Sequence, residues 1–285
     1  MKPLITYLFI FCSVVCFAQK NFSGRAVYQS KTSFDMERFN NRDMSEQQKK
    51  RIMDRMKNML EKTYILNFNK TASIYEEEEK LEAPGRGGGF RFGGFTGGTQ
   101  YKNTISKDFL EETEFFGKNF LIKEKVELPS WEMGAETKKI GNYVCYKATM
   151  LKKTDALDWQ NMRRRSRGRD KKRKDDEATK KVTEDIEMPK EVLVTAWYTP
   201  QIPVSNGPGE YWGLPGLILE VNAGNTTVLC TEVVLNPKNS IDIKEPSKGK
   251  EVTRKEYNAI VKKKMEEMQE IWKGRRGGRG RGSRR

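Results

Sequence analysis

The sequence predicts an α+β protein that is mostly antiparallel β, with one or two helices packed on its strands. Short segments that alternate between apolar and polar residues recur along the chain, and they are rich in β-branched and aromatic side chains. Turn residues such as Gly, Pro and Asn separate these segments. Two stretches, after Ser45 and after Thr253, carry apolar residues at helical spacing instead, and a short helical piece is expected around 155–162.

The alternating segments predict where the strands lie along the chain. The clearest hairpin has its turn around Asn69-Lys70, and a second pair of adjacent antiparallel strands follows Trp131 with a turn at Gly141. In chain order, we expect strands within 22–34, 64–69, 72–75, 101–125, 131–140, 143–149, 192–203, 217–222 and 226–235.

Both helices begin with a capping box. Ser45 precedes Gln48 by three residues, and Thr253 precedes Glu256 in the same way. Methionines at helical spacing follow the first box, and they could bind a soft metal such as copper or an apolar ligand, but ordinary core packing is the favoured interpretation. The second box predicts a C-terminal helix at 251–273, with its apolar side packed on the sheet.

The most distinctive segment is Tyr211-Trp212-Gly213-Leu214-Pro215-Gly216-Leu217-Ile218-Leu219-Glu220. Pro215 and Gly216 predict a type II turn, and Gly213 adds a second conformationally permissive position. The alternation that begins at Leu217 predicts a half-buried strand. We interpret the segment as a buried corner that leads into a core strand, in preference to a backbone platform that contacts a ligand.

The N-terminus predicts export. Lys2 precedes an apolar run that is too short to span a membrane, and the run ends in a small-x-small cleavage site, so residues 1–18 form a signal peptide cleaved before Gln19. A lipoprotein interpretation would acylate Cys12 or Cys16, but the residues before them are large where that chemistry favours a small one. No other segment is predicted to cross a membrane.

Cleavage leaves two cysteines, Cys145 and Cys230. In an oxidising compartment they could form a disulfide, and we favour it slightly over two free, half-buried thiols. Such a bridge would close a loop of roughly 85 residues and contribute about 4 kcal/mol in the chain-entropy model.

The net charge of +15 is concentrated in two segments. Residues 163–174 and 275–285 together carry all but one of these net charges, so the folded body is close to neutral. The first segment lies in an insertion at 152–188, and the second lies in an Arg/Gly tail at 274–285 that we expect to be disordered. The predicted contacts with polyanions or anionic surfaces are Arg163, Arg164, Arg165, Arg275, Arg276, Arg279 and Arg281.

The chain contains no histidine, which excludes Ser-His-Asp and Cys-His catalysis and His-ligated zinc. The glycine-rich insertion at 84–99 lacks the Gly-Lys-Ser/Thr ending of a P-loop. Carboxylates at 76–79 and at Glu210 leave a hydrolase as the least favoured alternative. We therefore expect a protein that is not an enzyme and has no catalytic residue, cofactor or metal.

The motif and the residues around it resemble the GLPGLI family of exported proteins from Bacteroidota-type bacteria. The resemblance covers most of the mature chain up to about Ile243 apart from the insertions, and it implies a β-rich domain of this type at 19–250. It implies an envelope protein whose strands form a curled sheet or a partly open β-barrel, and it carries over no catalytic residue. The family-type positions include Trp131, Trp197, Gly213, Leu214, Pro215, Gly216, Leu217 and Ile218.

Three functions compete. The first is a non-enzymatic envelope protein, periplasmic, outer-membrane associated or secreted, that binds a partner protein or an apolar ligand on its curved sheet. The second is a polyanion binder, for lipopolysaccharide or nucleic acid, that acts through the arginine-rich segments. The third is the carboxylate hydrolase.

Overall fold

A computed structural model describes residues 22–33, 45–48, 50–51, 54, 60–78, 98–153, 191–238 and 241–277. The expectations for the signal peptide, the short helical piece around 155–162, most of the glycine-rich insertion, Arg163, Arg164, Arg165, Arg279 and Arg281 lie outside these residues. Arg275 and Arg276 fall within the final helix, but their side chains lie outside the description.

Twelve strands, a long C-terminal helix and helical residues at 46–48, 50–51, 54 and 60 form the described part of the protein. The strands are Ser23–Thr32 (β1), Glu61–Asn69 (β2), Ala72–Glu77 (β3), Thr99–Asn103 (β4), Asp108–Phe115 (β5), Lys118–Lys125 (β6), Glu132–Ile140 (β7), Tyr143–Lys153 (β8), Glu191–Thr199 (β9), Leu217–Ala223 (β10), Thr226–Leu235 (β11) and Lys250–Val252 (β12). The helix, α1, is Arg254–Gly277.

All twelve strands belong to a single sheet in the order β12-β6-β5-β4-β3-β2-β1-β11-β10-β9-β8-β7. Every neighbouring pair is antiparallel except β12 and β6. The prediction of a mostly antiparallel α+β fold is therefore confirmed. The sheet is open, and its two edges are formed by β12 and β7.

The helix covers the β12 edge. Tyr257 and Val261 of α1 pack against Phe120 and Ile122 of β6. Arg254 donates hydrogen bonds from Nη2 to Glu111 at 2.6 Å and from Nε to Glu124 at 3.2 Å, so ion pairs also hold the first turn of the helix on the sheet.

Local capping chemistry is confirmed at both predicted helix starts. The Gln48 backbone N–H donates to Ser45 Oγ at 3.3 Å, and the Ser45 N–H donates to Gln48 Oε1 at 3.2 Å. At the second box, Thr253 N–H donates to Glu256 Oε2 at 2.8 Å. The final helix begins at Arg254 and runs to Gly277, so it is displaced by about one turn from the predicted 251–273.

The strand predicted after the motif is confirmed as β10, and Glu220 and Asn222 on its polar side are less buried than its apolar side. Ile218 departs from the predicted alternation, because it is buried although it was expected on the polar side. Leu217, Ile218, Leu219 and Val221 are all buried, whichever side of the strand they lie on. The pairing of β10 with β9 shifts register between Ile218 and Glu220, which breaks the simple alternation at this point.

Candidate functional site

The motif forms a corner within a loop that folds back on its own strand. Gly216 N–H donates to the Leu214 carbonyl at 2.8 Å, which closes a three-residue turn centred on Pro215. Leu217 N–H instead donates to the Ile202 carbonyl at 3.0 Å. The predicted type II turn is therefore wrong, because the N–H that would close it is used by the preceding loop.

Two glycines make this corner possible. A Cβ at Gly216 would lie 2.2 Å from the Thr199 carbonyl oxygen, so no larger residue fits between the corner and β9. Gly213 has a φ of 92°, and a Cβ there would lie 2.9 Å from a methyl carbon of Leu128. The interpretation of the motif as a buried corner agrees with this packing.

A buried lysine anchors the loop before the motif. Lys102 of β4 is 2% exposed, and its Nζ donates to the carbonyl oxygens of Gly207 at 3.2 Å, Gly209 at 2.9 Å and Tyr211 at 3.2 Å. Three acceptors match the three N–H donors of an ammonium group. Burial lowers the pKa of Lys102 to about 7, against a smaller opposing effect of the Glu210 carboxylate.

Further contacts fix the loop on both sides. Ser73 Oγ of β3 donates to Asn206 Oδ1 at 3.2 Å, and Trp131 Nε1 donates to the Trp212 carbonyl at 2.7 Å. Glu210 forms an ion pair with Lys152 on the exposed side of the loop. The motif region is thus held by β3, β4 and the residue before β7, which indicates a structural role.

The Ile218 carbonyl, next to the register shift in β10, accepts a hydrogen bond from a strand that is not its neighbour. Tyr28 Oη of β1 donates to the Ile218 carbonyl at 2.7 Å, over the intervening strand β11. Tyr28 is fully buried, and burial raises its pKa well above the usual value for a tyrosine. The bond therefore satisfies the carbonyl of a buried residue next to the register shift.

The β7 edge of the sheet differs from the β12 edge in its exposure to solvent. We call β7, β8 and the first half of β9, Glu191–Thr195, the open end. Seven of the nine β7 residues are exposed, although side chains of a strand alternate between two faces. No described helix or strand covers β7 on either face, so this strand meets solvent on both.

Apolar side chains are exposed at the open end. Met133 of β7 is 59% exposed, and Tyr146 of β8 is 39% exposed. Leu151 and Leu193 form a directly opposed pair on β8 and β9 and are 66% and 58% exposed. Residues 146 and 151 are an odd number of positions apart on β8, so Tyr146 lies on one face of the sheet and the Leu151–Leu193 pair lies on the other.

Ion pairs organise one face of the open end. Lys138 Nζ of β7 lies 2.6 Å from Glu220 Oε2 and 4.6 Å from the centre of the Trp197 ring. Lys147 Nζ lies 2.6 Å from Glu136 Oε1. Trp197, which belongs to the predicted family pattern, is therefore covered by a lysine that crosses from the edge strand.

Both remaining cysteines are buried, which corrects the alternative of half-buried thiols. They belong to one core cluster, and both are free thiols in the structure. Burial raises the pKa of Cys145 to about 11 and that of Cys230 to about 12. The disulfide between them stays a prediction.

Two of the candidate carboxylates form ion pairs with lysines. Glu77 of the acidic run pairs with Lys62 at 2.6 Å, and Glu210 pairs with Lys152. Within the described ranges, no group of three or more Cys, Asp or Glu side chains is placed to hold a metal ion. In the same residues, no helix combines the length and the apolar character needed to cross a membrane.

Two features of the site and one short strand of the sheet were not predicted from the sequence. Lys102 lies in a strand between Tyr101 and Asn103, and nothing in this local pattern distinguishes it from an exposed lysine. The exposure of β7 was also missed, because alternation in sequence does not show whether either face is covered. The short strand β12 carries too few residues to give a pattern.

Comparisons with known proteins match part of the chain to a family. A family model described as a protein of unknown function (Porph_ging) matches residues 131–220, which extend from the residue before β7 into β10. No curated protein matches significantly.

Solved structures give distant matches. Two structures of PNGF-II, in space groups C2 and P21, are each 12% identical and cover 84% of this chain, with TM-scores of 0.47 and 0.46. They are matched over 32% and 33% of their own length, so this chain spans about a third of those proteins. The crystal structure of LprF from Mycobacterium bovis is 6% identical, with 81% of this chain and 91% of that chain covered and a TM-score of 0.24.

Proposed function

We propose that this chain is a non-enzymatic, exported cell-envelope protein of the GLPGLI type that binds a partner protein at the open end of its sheet. The observation that carries the proposal is the exposure of β7 along its length, beside the exposed apolar side chains of β8 and β9. An exposed edge strand presents unpaired backbone N–H and C=O groups to other chains. A partner that covers this edge would satisfy those groups and bury the apolar side chains.

The difference between the two edges of the sheet supports this assignment. The β12 edge is only three residues long and leads directly into α1, which packs on β6. Short strands and helical covers are the usual protection of a sheet edge. The β7 edge is nine residues long and has no such cover among the described residues.

The charged groups singled out around the motif have partners within the fold. Each Nζ–H of Lys102 has a carbonyl acceptor, and the candidate carboxylates Glu77 and Glu210 are paired with lysines. Groups held in this way stabilise the loop and the sheet.

Export is supported by the N-terminal pattern, which has the charged, apolar and small-residue regions of a signal peptide.

Affinity purification from envelope fractions tests the proposal. Tyr146→Glu places a carboxylate in the exposed apolar surface of the open end, where desolvating it on binding is costly. Partner recovery should fall at least ~10-fold, which corresponds to roughly 1.4 kcal/mol of binding free energy.

The matched control is Ile105→Glu. Ile105 is also an exposed apolar residue, but it lies in the turn between β4 and β5, far along the strand order from β7. The control should recover the partner as the wild type does. Equal recovery with all three proteins would refute binding at the open end.

A further inference from the structure

We propose that the thioether of Met133 is a site of reversible oxidation, that the hydroxyl of Tyr198 directs the oxygen to one side of the sulfur, and that the sulfoxide weakens binding at the open end. The first two parts follow from the contacts of these two side chains. The third part rests on the proposed function, because Met133 belongs to the surface that a partner would cover.

Among the described methionines, Met133 is the most exposed. It is 59% exposed, whereas Met150 of β8 and the two methionines of α1, Met265 and Met268, are half-buried. The thioether of methionine is oxidised to a sulfoxide, and this reaction requires access of the oxidant to the sulfur. Met133 is therefore the described methionine that an oxidant in the surrounding solution reaches first.

The sulfur of Met133 contacts a tyrosine two strands away. Tyr198 Oη of β9 donates a hydrogen bond to Met133 Sδ at 3.2 Å. Met133 lies opposite Ala148 of β8, and Ala148 lies opposite Ala196 of β9. These two small side chains leave room for the methionine to extend across β8 toward Tyr198.

Tyr198 is a fixed donor to this sulfur. It is only 6% exposed, and the centre of its ring lies 6.1 Å from that of Tyr146. Burial raises the pKa of Tyr198 above its usual value, so the hydroxyl keeps its proton at neutral pH. The hydrogen bond therefore sets the direction in which the Met133 sulfur faces.

This hydrogen bond predicts the stereochemistry of the oxidation. A thioether sulfur has two lone pairs, and the Tyr198 hydroxyl occupies one of them. Hydrogen peroxide therefore reacts at the other: the sulfur gives two electrons to one peroxide oxygen, the O–O bond breaks, and the leaving hydroxide takes the proton of the transferred oxygen to form water. Because the two lone pairs lead to opposite configurations at sulfur, one sulfoxide epimer should predominate.

The sulfoxide places a polar group in an apolar part of the open end. Oxidation converts a flexible apolar side chain into a polar one, and a polar group must lose its water when a partner covers it. Ala148, opposite Met133, lies two residues beyond Tyr146, so Met133 and Tyr146 share one face of the sheet. Enzymatic reduction of the sulfoxide would restore this surface.

Treatment of the purified full mature chain with dilute hydrogen peroxide tests the chemistry. Mass spectrometry of each methionine should show Met133 oxidised at least ~10-fold faster than Met150. The digested product is then treated with one or the other class of methionine sulfoxide reductase, each of which accepts a single epimer. One class should reduce at least about three-quarters of the Met133 sulfoxide.

Two tyrosine variants test whether the Tyr198 hydroxyl is the cause. Tyr198→Phe keeps the ring and removes the hydroxyl, so the two epimers should form in nearly equal amounts. Tyr146→Phe, the matched control, removes the neighbouring hydroxyl and should keep the wild-type bias. Equal epimers in the wild type, or the same bias in Tyr198→Phe, would overturn the inference.

Recovery of proteins from envelope fractions tests the effect on binding. Peroxide treatment of the wild type should lower recovery at least ~5-fold, and reduction of the sulfoxide should restore it. In Met133→Leu, which has no sulfur at this position, the treated and untreated proteins should give equal recovery. A loss of the same size in Met133→Leu would assign the effect to another methionine and contradict the third part.

The outcomes distinguish this inference from the proposed function. If Tyr146→Glu abolishes recovery while oxidation of Met133 leaves it unchanged, the proposed function stands and the inference about regulation is wrong. If recovery does not depend on Tyr146, the proposed function fails and the third part fails with it, whereas a single Met133 epimer would still support the directed oxidation.

Discussion

Replacing Lys102 by Met should remove a distinct pH dependence from the stability of the protein. The unfolded chain binds a proton at this lysine up to about its ordinary pKa of 10.5, whereas burial lowers the pKa in the folded protein to about 7. Between these values the unfolded state binds more protons than the folded state. The free energy of unfolding therefore rises with pH across this interval.

The magnitude follows from the same two values. A full proton difference changes the free energy of unfolding by about 1.4 kcal/mol per pH unit. Between pH 7.5 and 8.5 the wild type should gain about 1 kcal/mol relative to Lys102→Met. The quantity to compare is the slope of the free energy of unfolding against pH. The absolute stability of the variant is less informative, because it combines the loss of three hydrogen bonds with the removal of a buried charge.

Urea unfolding at several pH values provides the assay. The pH values should stay below the range in which the cysteine thiols lose their protons. The folded-state pKa values of Cys145 and Cys230 are raised to about 11 and 12, so their contribution to stability is lost only as pH rises above the ordinary thiol value of 9.0. Lys118→Met, which removes an exposed lysine at the start of β6, is the control and should keep the wild-type slope. A Lys102→Met variant that keeps the wild-type slope would show that Lys102 is not the source of this pH dependence.

Three further substitutions test the packing around the motif and the helix. Tyr28→Phe removes the buried hydrogen bond to the Ile218 carbonyl and should cost about 1–2 kcal/mol in chemical denaturation, whereas an unchanged midpoint would show that the bond contributes nothing. Gly216→Ala places a methyl group against the Thr199 carbonyl and should cost roughly 3 kcal/mol or more, so wild-type thermal stability would contradict the close approach. Arg254→Met leaves two partly buried carboxylates without their cation and should cost about 2–3 kcal/mol, with faster hydrogen exchange in the first turns of α1; unchanged exchange there would argue against ion-pair docking.

Features that depend on neighbours in sequence were predictable. The two capping boxes need only residues three positions apart, and both form as expected. The hairpin turns at Asn69-Lys70 and Gly141 are also local, and the strands that they connect pair as predicted.

Features that depend on distant partners were not predictable from the chain alone. The turn at Pro215 differs from type II because Ile202, fifteen residues before Leu217, accepts the N–H that would have closed it. Burial of Lys102 depends on carbonyls more than one hundred residues further along the chain. The exposure of β7 depends on which described elements pack beside it and has no signature in the strand itself.

The claim that the open end is the functional surface is tested most directly by site-specific photo-crosslinking in intact cells. A photoreactive amino acid at position 133, on β7, is compared with the same residue at position 105, where the native isoleucine is also exposed. Binding at the open end predicts a discrete covalent adduct with a partner protein from position 133 and none from position 105. Adducts of equal yield from both positions, or from position 105 alone, would contradict it.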